Sequence, residues 1–144
     1  MKKLITFMLC LCLGIGLASA RERVSRNAND LPQKARTTLA NYFKAGVNHI
    51  KIESKAFGGN EYDVILNDGT EVEFDSRGEW KEIDCGTKAV PSKLILPAIA
   101  KYVKQNYPSG TIVKIEVGSR HYEVELNNGI DLKFGRDGRF QKVD

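Results

Sequence analysis

The sequence contains few of the residue types that most catalytic and metal sites require. It has two histidines, His49 and His121, and three cysteines, of which Cys10 and Cys12 lie in an apolar run near the start. No histidine or cysteine stands at the spacing of a zinc site. No serine lies in a nucleophile-elbow motif, and the acidic turns lack the alternating oxygen ligands of a calcium loop. These absences argue against an enzyme or a metalloprotein, and the residues indicate no cofactor.

The first twenty residues, MKKLITFMLCLCLGIGLASA, differ in composition from the rest. Two lysines precede an apolar run from Leu4 to Leu17, and small residues follow it up to Ala20. This order is typical of a secretory signal peptide, and the run is shorter than the roughly 20 residues of a membrane span. We expect cleavage after Ala20, a periplasmic or secreted location and no stable span in the mature chain, with an uncleaved anchor as the alternative.

Cleavage leaves 144 − 20 = 124 residues, enough for one compact domain or for two small units with a shared core. Loss of Lys2 and Lys3 lowers the formal charge from +4 to +2, so the charge does not indicate a nucleic-acid partner. Cys85 is then the only cysteine, and a single thiol cannot form an internal disulfide. Packing alone must hold the exported fold, and we interpret Cys85 as an inert, partly buried thiol.

Two stretches of the chain are nearly the same. YDVILNDGTEVEFDSRGEWKEID (62–84) and YEVELNNGIDLKFGRDGRFQKVD (122–144) align without a gap and are identical at 8 of 23 positions. In both, apolar residues alternate with polar ones between glycine-containing turns, a pattern that predicts an antiparallel meander. A further strand precedes each meander, HIKIE (49–53) in one and IVKIE (112–116) in the other. Each copy therefore has four predicted strands.

A segment with helical periodicity precedes the strands of each copy. In the first copy Pro32 suits the opening turn, and apolar residues recur at helical spacing up to Phe43. In the second copy Pro97 interrupts the pattern, because its ring clashes with the carbonyl four residues back. We expect a short helical turn before Pro97 and a new helix that starts there.

These elements predict an α+β fold, a tandem repeat of a helix plus a four-stranded antiparallel meander. The predicted boundaries are a signal peptide (1–20), a flexible lead (21–29), a first repeat (30–84), a linker (85–89) and a second repeat (90–144). The linker is too short to let the repeats swing freely. We expect them to pack side by side as one extended sheet, with both helices on the same face.

Four segments together resemble a known family: LPQKARTTLANYFKAG, NDGTEVEFDSRGEWKEIDC, VPSKLILPAIAKYVKQNYP and YEVELNNGIDLKFGRDGRF. In this order they look like the PepSY-like, beta-lactamase-inhibitor-like proteins exported by Bacteroides and its relatives. The resemblance implies a tandem fold similar to beta-lactamase inhibitory protein, with helices on one side of an open antiparallel sheet, and a periplasmic location. It carries over no inhibitory contact residues, so we do not expect inhibition of a beta-lactamase.

Strand alternation predicts an acidic surface on the side of the sheet that faces away from the helices. Its acids, nine in number against three lysines, are Glu53, Glu61, Asp63, Glu71, Glu73, Glu116, Glu123, Glu125 and Asp131, and the lysines are Lys51, Lys114 and Lys133. The basic residues should then concentrate on the lead, the helices and the turns, among them Lys34, Lys44, Lys93, Lys101, Lys104, Arg136 and Arg139. Such a surface favours encounter with a basic partner, although acids on an exposed strand also serve solubility alone.

Three aromatic residues are candidates for contact with a partner. Trp80 and Phe140 each stand three residues before an apolar position, so either a bulge intervenes or they face outward onto the acidic surface. Phe57 lies beside two glycines at a predicted hairpin tip. Core packing is the alternative for Trp80 and Phe140.

The sequence thus favours an exported, non-enzymatic module that binds a protein or peptide. A basic protein or peptide is one candidate partner. Two alternatives remain open. One is a stress-related or small-molecule-binding envelope protein with a pocket between sheet and helices, and the other is a hydrolase.

Overall fold

The computed structural model describes residues 21–144. The predicted signal peptide and its cleavage point at Ala20 fall outside these residues. No helix of the described part is long and apolar enough to cross a membrane.

Nine strands and two α-helices follow one another along residues 21–144. They are β1 (Arg21–Ser25), α1 (Gln33–Tyr42), β2 (Val47–Ser54), β3 (Asn60–Leu66), β4 (Glu71–Phe74), β5 (Trp80–Asp84), α2 (Pro97–Asn106), β6 (Ile112–Val117), β7 (His121–Leu126), β8 (Asp131–Gly135) and β9 (Phe140–Val143). Short 3₁₀ turns at Ala28–Asp30 and Ser92–Leu94 precede the helices.

The strands form one antiparallel sheet in which the order in space is the order in the chain, β1 to β9. Strands β5 and β6 pair directly, so the sheet runs without interruption from the first four-strand set to the second. The prediction of an α+β fold with one extended antiparallel sheet is confirmed. We call the segment from α1 to β5 the first half and the segment from α2 to β9 the second half.

A proline lies at the N-terminus of each helix, where it prevents the helix from extending further toward the N-terminus of the chain. Pro32 directly precedes α1, and Pro97 is the first residue of α2 after its 3₁₀ turn, as expected. Each helix buries two residues four apart, Ala35 with Leu39 in α1 and Ile99 with Val103 in α2. These residues join the same buried cluster, so both helices cover the same face of the sheet.

The core lies between the helices and this one face. Alternate residues of the strands fill it, and Phe74, Phe134, Leu66 and Leu126 are among its largest fully or nearly fully buried side chains. The alternation in the sequence correctly predicted which side chains of β2 to β4, β7 and β8 point inward. In β6 a bulge between Ile112 and Lys114 places Ile112, and not the expected Val113, in the core cluster. Cys85 is also buried, and burial raises the pKa of its thiol, in agreement with an inert group.

The predicted flexible lead is wrong for most of its length. Arg21–Ser25 forms β1, which pairs with β2 along the edge of the sheet. Asp30 fixes the turn that follows, because it accepts hydrogen bonds from Arg23 and Ser25. An edge strand is held by backbone hydrogen bonds and packs few side chains, so it needs no alternation of apolar residues and leaves little trace in the sequence.

Two glycines at equivalent turns let the helices approach the sheet. Gly78 has a φ of +82°, and a Cβ there would lie 2.9 Å from the backbone nitrogen of Ala35 in α1. Gly138 has a φ of +81°, and its Cβ would lie 2.7 Å from Ala98 in α2. By contrast, a Cβ on Gly69, with a φ of +86°, would meet nothing within 4 Å. Gly78 and Gly138 therefore require glycine both for the space next to the helix and for the backbone conformation.

Gly78→Ala should destabilise the protein more than Gly69→Ala. Both changes place a Cβ at a positive φ, which costs about 1–2 kcal/mol, but only Gly78→Ala adds overpacking against α1, for about 1–3 kcal/mol more. Urea unfolding of the two variants measures the difference. Equal losses would show that the turn does not press on the helix.

Leu66→Ala and Leu126→Ala should each lower the free energy of unfolding by about 2–5 kcal/mol, because both side chains are buried in the core. Val24→Ala is the control, since the Val24 side chain is 63% exposed on the edge strand. Chemical denaturation checks all three. A loss below about 0.5 kcal/mol at either leucine would contradict the register.

Candidate functional site

The face of the sheet opposite the helices carries the predicted acidic residues. In β3, Asp63 lies between the buried Tyr62 and Val64, and in β7, Glu123 and Glu125 flank the buried Val124. Because successive side chains of a strand point to opposite faces, these carboxylates point away from the core. We call this surface the open face.

Five carboxylates stand directly opposite one another across five neighbouring strands. The cross-strand partners are Asp63 with Glu73, Glu73 with Glu82, Glu82 with Glu116, and Glu116 with Glu123. Neighbouring strands lie about 4.8 Å apart, so the five positions span about 19 Å at right angles to the strands. We call these five residues the carboxylate row.

Like charges at directly opposed positions destabilise a sheet, and together with burial they raise the pKa of Glu73. Burial, followed by the charges of Asp63 and Glu82, raises the pKa of Glu73 from 4.5 to about 7. Burial is also the first cause that raises the pKa of Asp63 and of Glu116, and neighbouring carboxylates add to it. The row therefore holds its negative charges at an electrostatic cost.

Lysines border the row and bridge its middle. Lys51 is the cross-strand neighbour of Asp63 at one end, and Lys133 is that of Glu123 at the other, with an ion pair of 3.1 Å. In the middle, Lys114 lies 2.9 Å from Glu82. Burial lowers the pKa of Lys114, but its hydrogen bond to Glu82 and the nearby carboxylates outweigh burial and leave the pKa raised. Three lysines thus offset part of the repulsion among five acids, and only Lys114 does so in the middle of the row.

A second line of charged residues runs beside the row. Glu71 stands opposite Asp84, Asp84 opposite Lys114, Lys114 opposite Glu125, and Glu125 opposite Asp131. Burial, followed by the neighbouring Asp63 and Asp84, raises the pKa of Glu71, and burial with Asp131 raises that of Glu125. The candidate residues of β4, β6, β7 and β8 therefore form one acidic surface.

Trp80 and Phe140 do not belong to this surface. Glu73 pairs with Glu82 and the next residue, Phe74, pairs with Trp80, so Lys81 is the extra residue of a bulge. The same irregularity pairs Phe134 with Phe140. The bulges turn both aromatics to the helix side, and the Phe140 ring stacks on Tyr102 of α2 with 4.5 Å between centroids.

The bulges also explain which acids the sequence analysis missed. Glu82 and Asp84 flank the buried Ile83, so both point to the open face. The spacing of three between Trp80 and Ile83 was the available signal, because two apolar residues at that spacing share a face only when a bulge intervenes.

The remaining candidates lie at the end of the sheet near the β2–β3 turn. Glu53 stands opposite Glu61, and Glu61 also forms an ion pair with Lys55. Phe57 lies at the tip between these strands and is 92% exposed. Glu53, Glu61 and Phe57 therefore lie on the open face or at its edge, outside the carboxylate row.

The two histidines lie on strands β2 and β7. His121 lies 3.0 Å from Glu123, and both side chains are partly exposed on the strand surface. His49 contacts Asn48 beside it. Within residues 21–144, no group of three or more His, Cys, Asp or Glu side chains is placed to hold a metal ion. What the surface offers is an extended pattern of negative charge.

Comparison with protein families gives one match. A family model described as "Putative beta-lactamase-inhibitor-like, PepSY-like" matches residues 60–142. No curated protein matches the chain.

Several solved structures are similar over most of the chain. A "putative periplasmic protein of unknown function" from Bacteroides vulgatus is 45% identical, with a TM-score of 0.82 over 86% of this chain and 99% of its own. A second "putative periplasmic protein" from the same species is 36% identical, with a TM-score of 0.81 over 88% and 98%. A "putative calcium-regulated periplasmic protein" from Bacteroides thetaiotaomicron is 35% identical, with a TM-score of 0.80 over 85% and 96%. None of these descriptions indicates an enzymatic activity.

Glu73→Gln should stabilise the protein above neutral pH. Because the folded pKa of about 7 lies above 4.5, the folded protein holds more protons than the unfolded chain between these values. The free energy of unfolding therefore falls as pH rises through that window. Glutamine carries no charge and removes this loss. The free energy of unfolding should therefore rise by about 1–2 kcal/mol at pH 8, after allowance for screening by water.

Urea unfolding between pH 5 and pH 8 measures the effect. Glu79→Gln is the matched control, because Glu79 forms an ion pair with Lys34 on the helix side, outside the row. It should give no gain at pH 8. A Glu73→Gln protein with the wild-type pH dependence would contradict the assigned repulsion.

Proposed function

The chain belongs to the PepSY-like, beta-lactamase-inhibitor-like family, and from that membership we propose that it is an exported, non-enzymatic module that binds a basic protein or peptide through its open face. The similar structures come from proteins described as periplasmic, which supports a periplasmic location. The carboxylate row is the observation that carries the proposal.

The row has the properties of a surface that gains from a cationic partner. Its acids repel one another and are partly removed from water, and one lysine, Lys114, reaches its middle. A partner with several Lys or Arg side chains would relieve the repulsion and form charge-assisted hydrogen bonds. The attraction would also speed the encounter, and it should weaken as salt is added.

The direction of the row favours a helix as the bound element. Its positions repeat at about 4.8 Å across the strands, close to the 5.4 Å pitch of an α-helix. A helix laid across the sheet could thus present one basic side chain per turn over three to four turns. In an extended strand, side chains on one face repeat at about 6.6 Å, which fits the row less well.

The hairpin between β2 and β3 could add an apolar contact. Phe57 at its tip is 92% exposed, and exposed aromatic rings are frequent anchors at interfaces. Glu53 and Glu61 lie on the strands that lead to this tip. A partner that extends past the end of the row would meet them.

We also infer that the two halves are copies of one ancestral unit, as in a tandem repeat similar to beta-lactamase inhibitory protein. In support, both halves have the same order of one helix and four strands. Both also carry a bulge at the start of their first strand and another where the third strand meets the fourth.

The small-molecule alternative has less support. A cleft of about 200 Å³ lies between α2 and the segment before it, lined by Val90, Ile95, Val103, Lys104 and other residues. Sites for drug-sized ligands usually measure about 300–1,000 Å³. Regulation by calcium is stated of one relative, and we do not carry it over, because residues 21–144 hold no metal-ligand group of three.

Capture of partners from periplasmic extract tests the proposal. The bait is the mature protein, either wild type or with Glu73→Lys and Glu116→Lys in the row. The control bait carries Glu79→Lys and Asp137→Lys, which change the net charge equally at turns outside the row. We expect wild type and control to retain the same proteins, and the row variant to lose them. Identical sets from all three baits would refute binding through the open face.

A further inference from the structure

The helix side of the molecule has the opposite charge pattern from the open face. The two sequence segments that contain the helices, 31–52 and 85–115, include no aspartate or glutamate, although they include many lysines. Neither α1 nor α2 contains an acid, while the acids of the described chain concentrate on the strands and turns. Lys51 and Lys114 of these segments lie on the open face. The molecule therefore has two sides of opposite sign.

Acids from two turns of the first half neutralise two of these cations. Lys34 at the start of α1 forms an ion pair with Glu79, which follows the β4–β5 turn. Lys88 in the linker lies 3.4 Å from Asp68 of the β3–β4 turn. The charge of the helix side is thus partly compensated there.

In the second half, the equivalent acids are replaced. Arg139 stands where the first half has Glu79, and Asn128 stands where it has Asp68. Asp137 lies nearby but pairs with Arg139 at 3.4 Å. The turns that neutralise helix-side cations in the first half therefore add no net negative charge in the second.

Three lysines in or just before α2 have no such acid as a partner: Lys93 in the 3₁₀ turn, and Lys101 and Lys104 in α2. All three are exposed, and within residues 21–144 no ion pair involves them. Lys101 and Lys104 lie on the side of α2 opposite the buried Ile99 and Val103, since residues turn by about 100° each. We call these three residues the lysine surface.

A small cleft adjoins this surface. It measures about 200 Å³, lies between α2 and the preceding segment, and is lined by residues that include Val90, Ile95 and Lys104.

From these observations we propose that the lysine surface docks the protein on an anionic phospholipid bilayer. Lysines are point charges with flexible stems and lack the planar fork that arginine offers to one fixed carboxylate, so they suit a fluid array of headgroups. The carboxylate row lies on the opposite face of the sheet from α2 and would face away from the membrane.

Co-sedimentation with vesicles tests the proposal directly. The mature protein is mixed with vesicles of phosphatidylcholine alone or with added phosphatidylglycerol, at low and at high salt. We expect binding only to the phosphatidylglycerol vesicles, and its loss at high salt. Lys101→Glu with Lys104→Glu should lower the partition coefficient at least about tenfold, because each basic residue near such a surface contributes about a fivefold factor.

Two further variants separate a local effect from a change in net charge or folding. Lys55→Glu with Arg120→Glu makes the same charge change at hairpin turns away from α2 and should bind like wild type. Lys101→Arg with Lys104→Arg keeps the charge and should also retain binding. Equal binding to both vesicle types, no binding at low salt, or wild-type binding by Lys101→Glu with Lys104→Glu would overturn the proposal. None of these results depends on the open face, so the proposed protein partner is tested separately.

Discussion

The structure depends on one asymmetry of burial. Two ten-residue helices cover one face of a nine-stranded sheet, and no helix of the described chain covers the other. Each inner strand must therefore alternate a core side chain with one that tolerates water. Because the register sets outward residues of neighbouring strands directly opposite one another, acids at those positions join into a row across five strands. Packing on one side thus fixes the charge pattern on the other.

The same asymmetry explains why the molecule has two surfaces of opposite sign. Acids occupy the outward strand positions, while the helical layer carries lysines and no acids. The two sides lie on opposite faces of the sheet. A basic partner on the open face and an anionic bilayer below the helices would therefore not compete.

Sequence alone predicted most of the fold because strict alternation reports the burial of one face. It failed where backbone geometry acts without a side-chain pattern. Strand β1 is held by edge hydrogen bonds and has one aliphatic residue, Val24. In β5 a bulge at Lys81 reverses the apparent parity, so Trp80 was considered for the open face and Glu82 was missed. The sequence alone could not show that five carboxylates lie directly opposite one another, because this depends on the register between the strands.

The open face holds carboxylates side by side and partly out of water. The most direct measurement is a carbon-13 NMR titration of the side-chain carboxyl groups in the folded protein. We expect a pKa of about 7 for Glu73, and pKa values of Asp63 and Glu116 that are also above their ordinary values. Ordinary pKa values at all three residues would show that these charges are independent and fully hydrated, and would contradict the account.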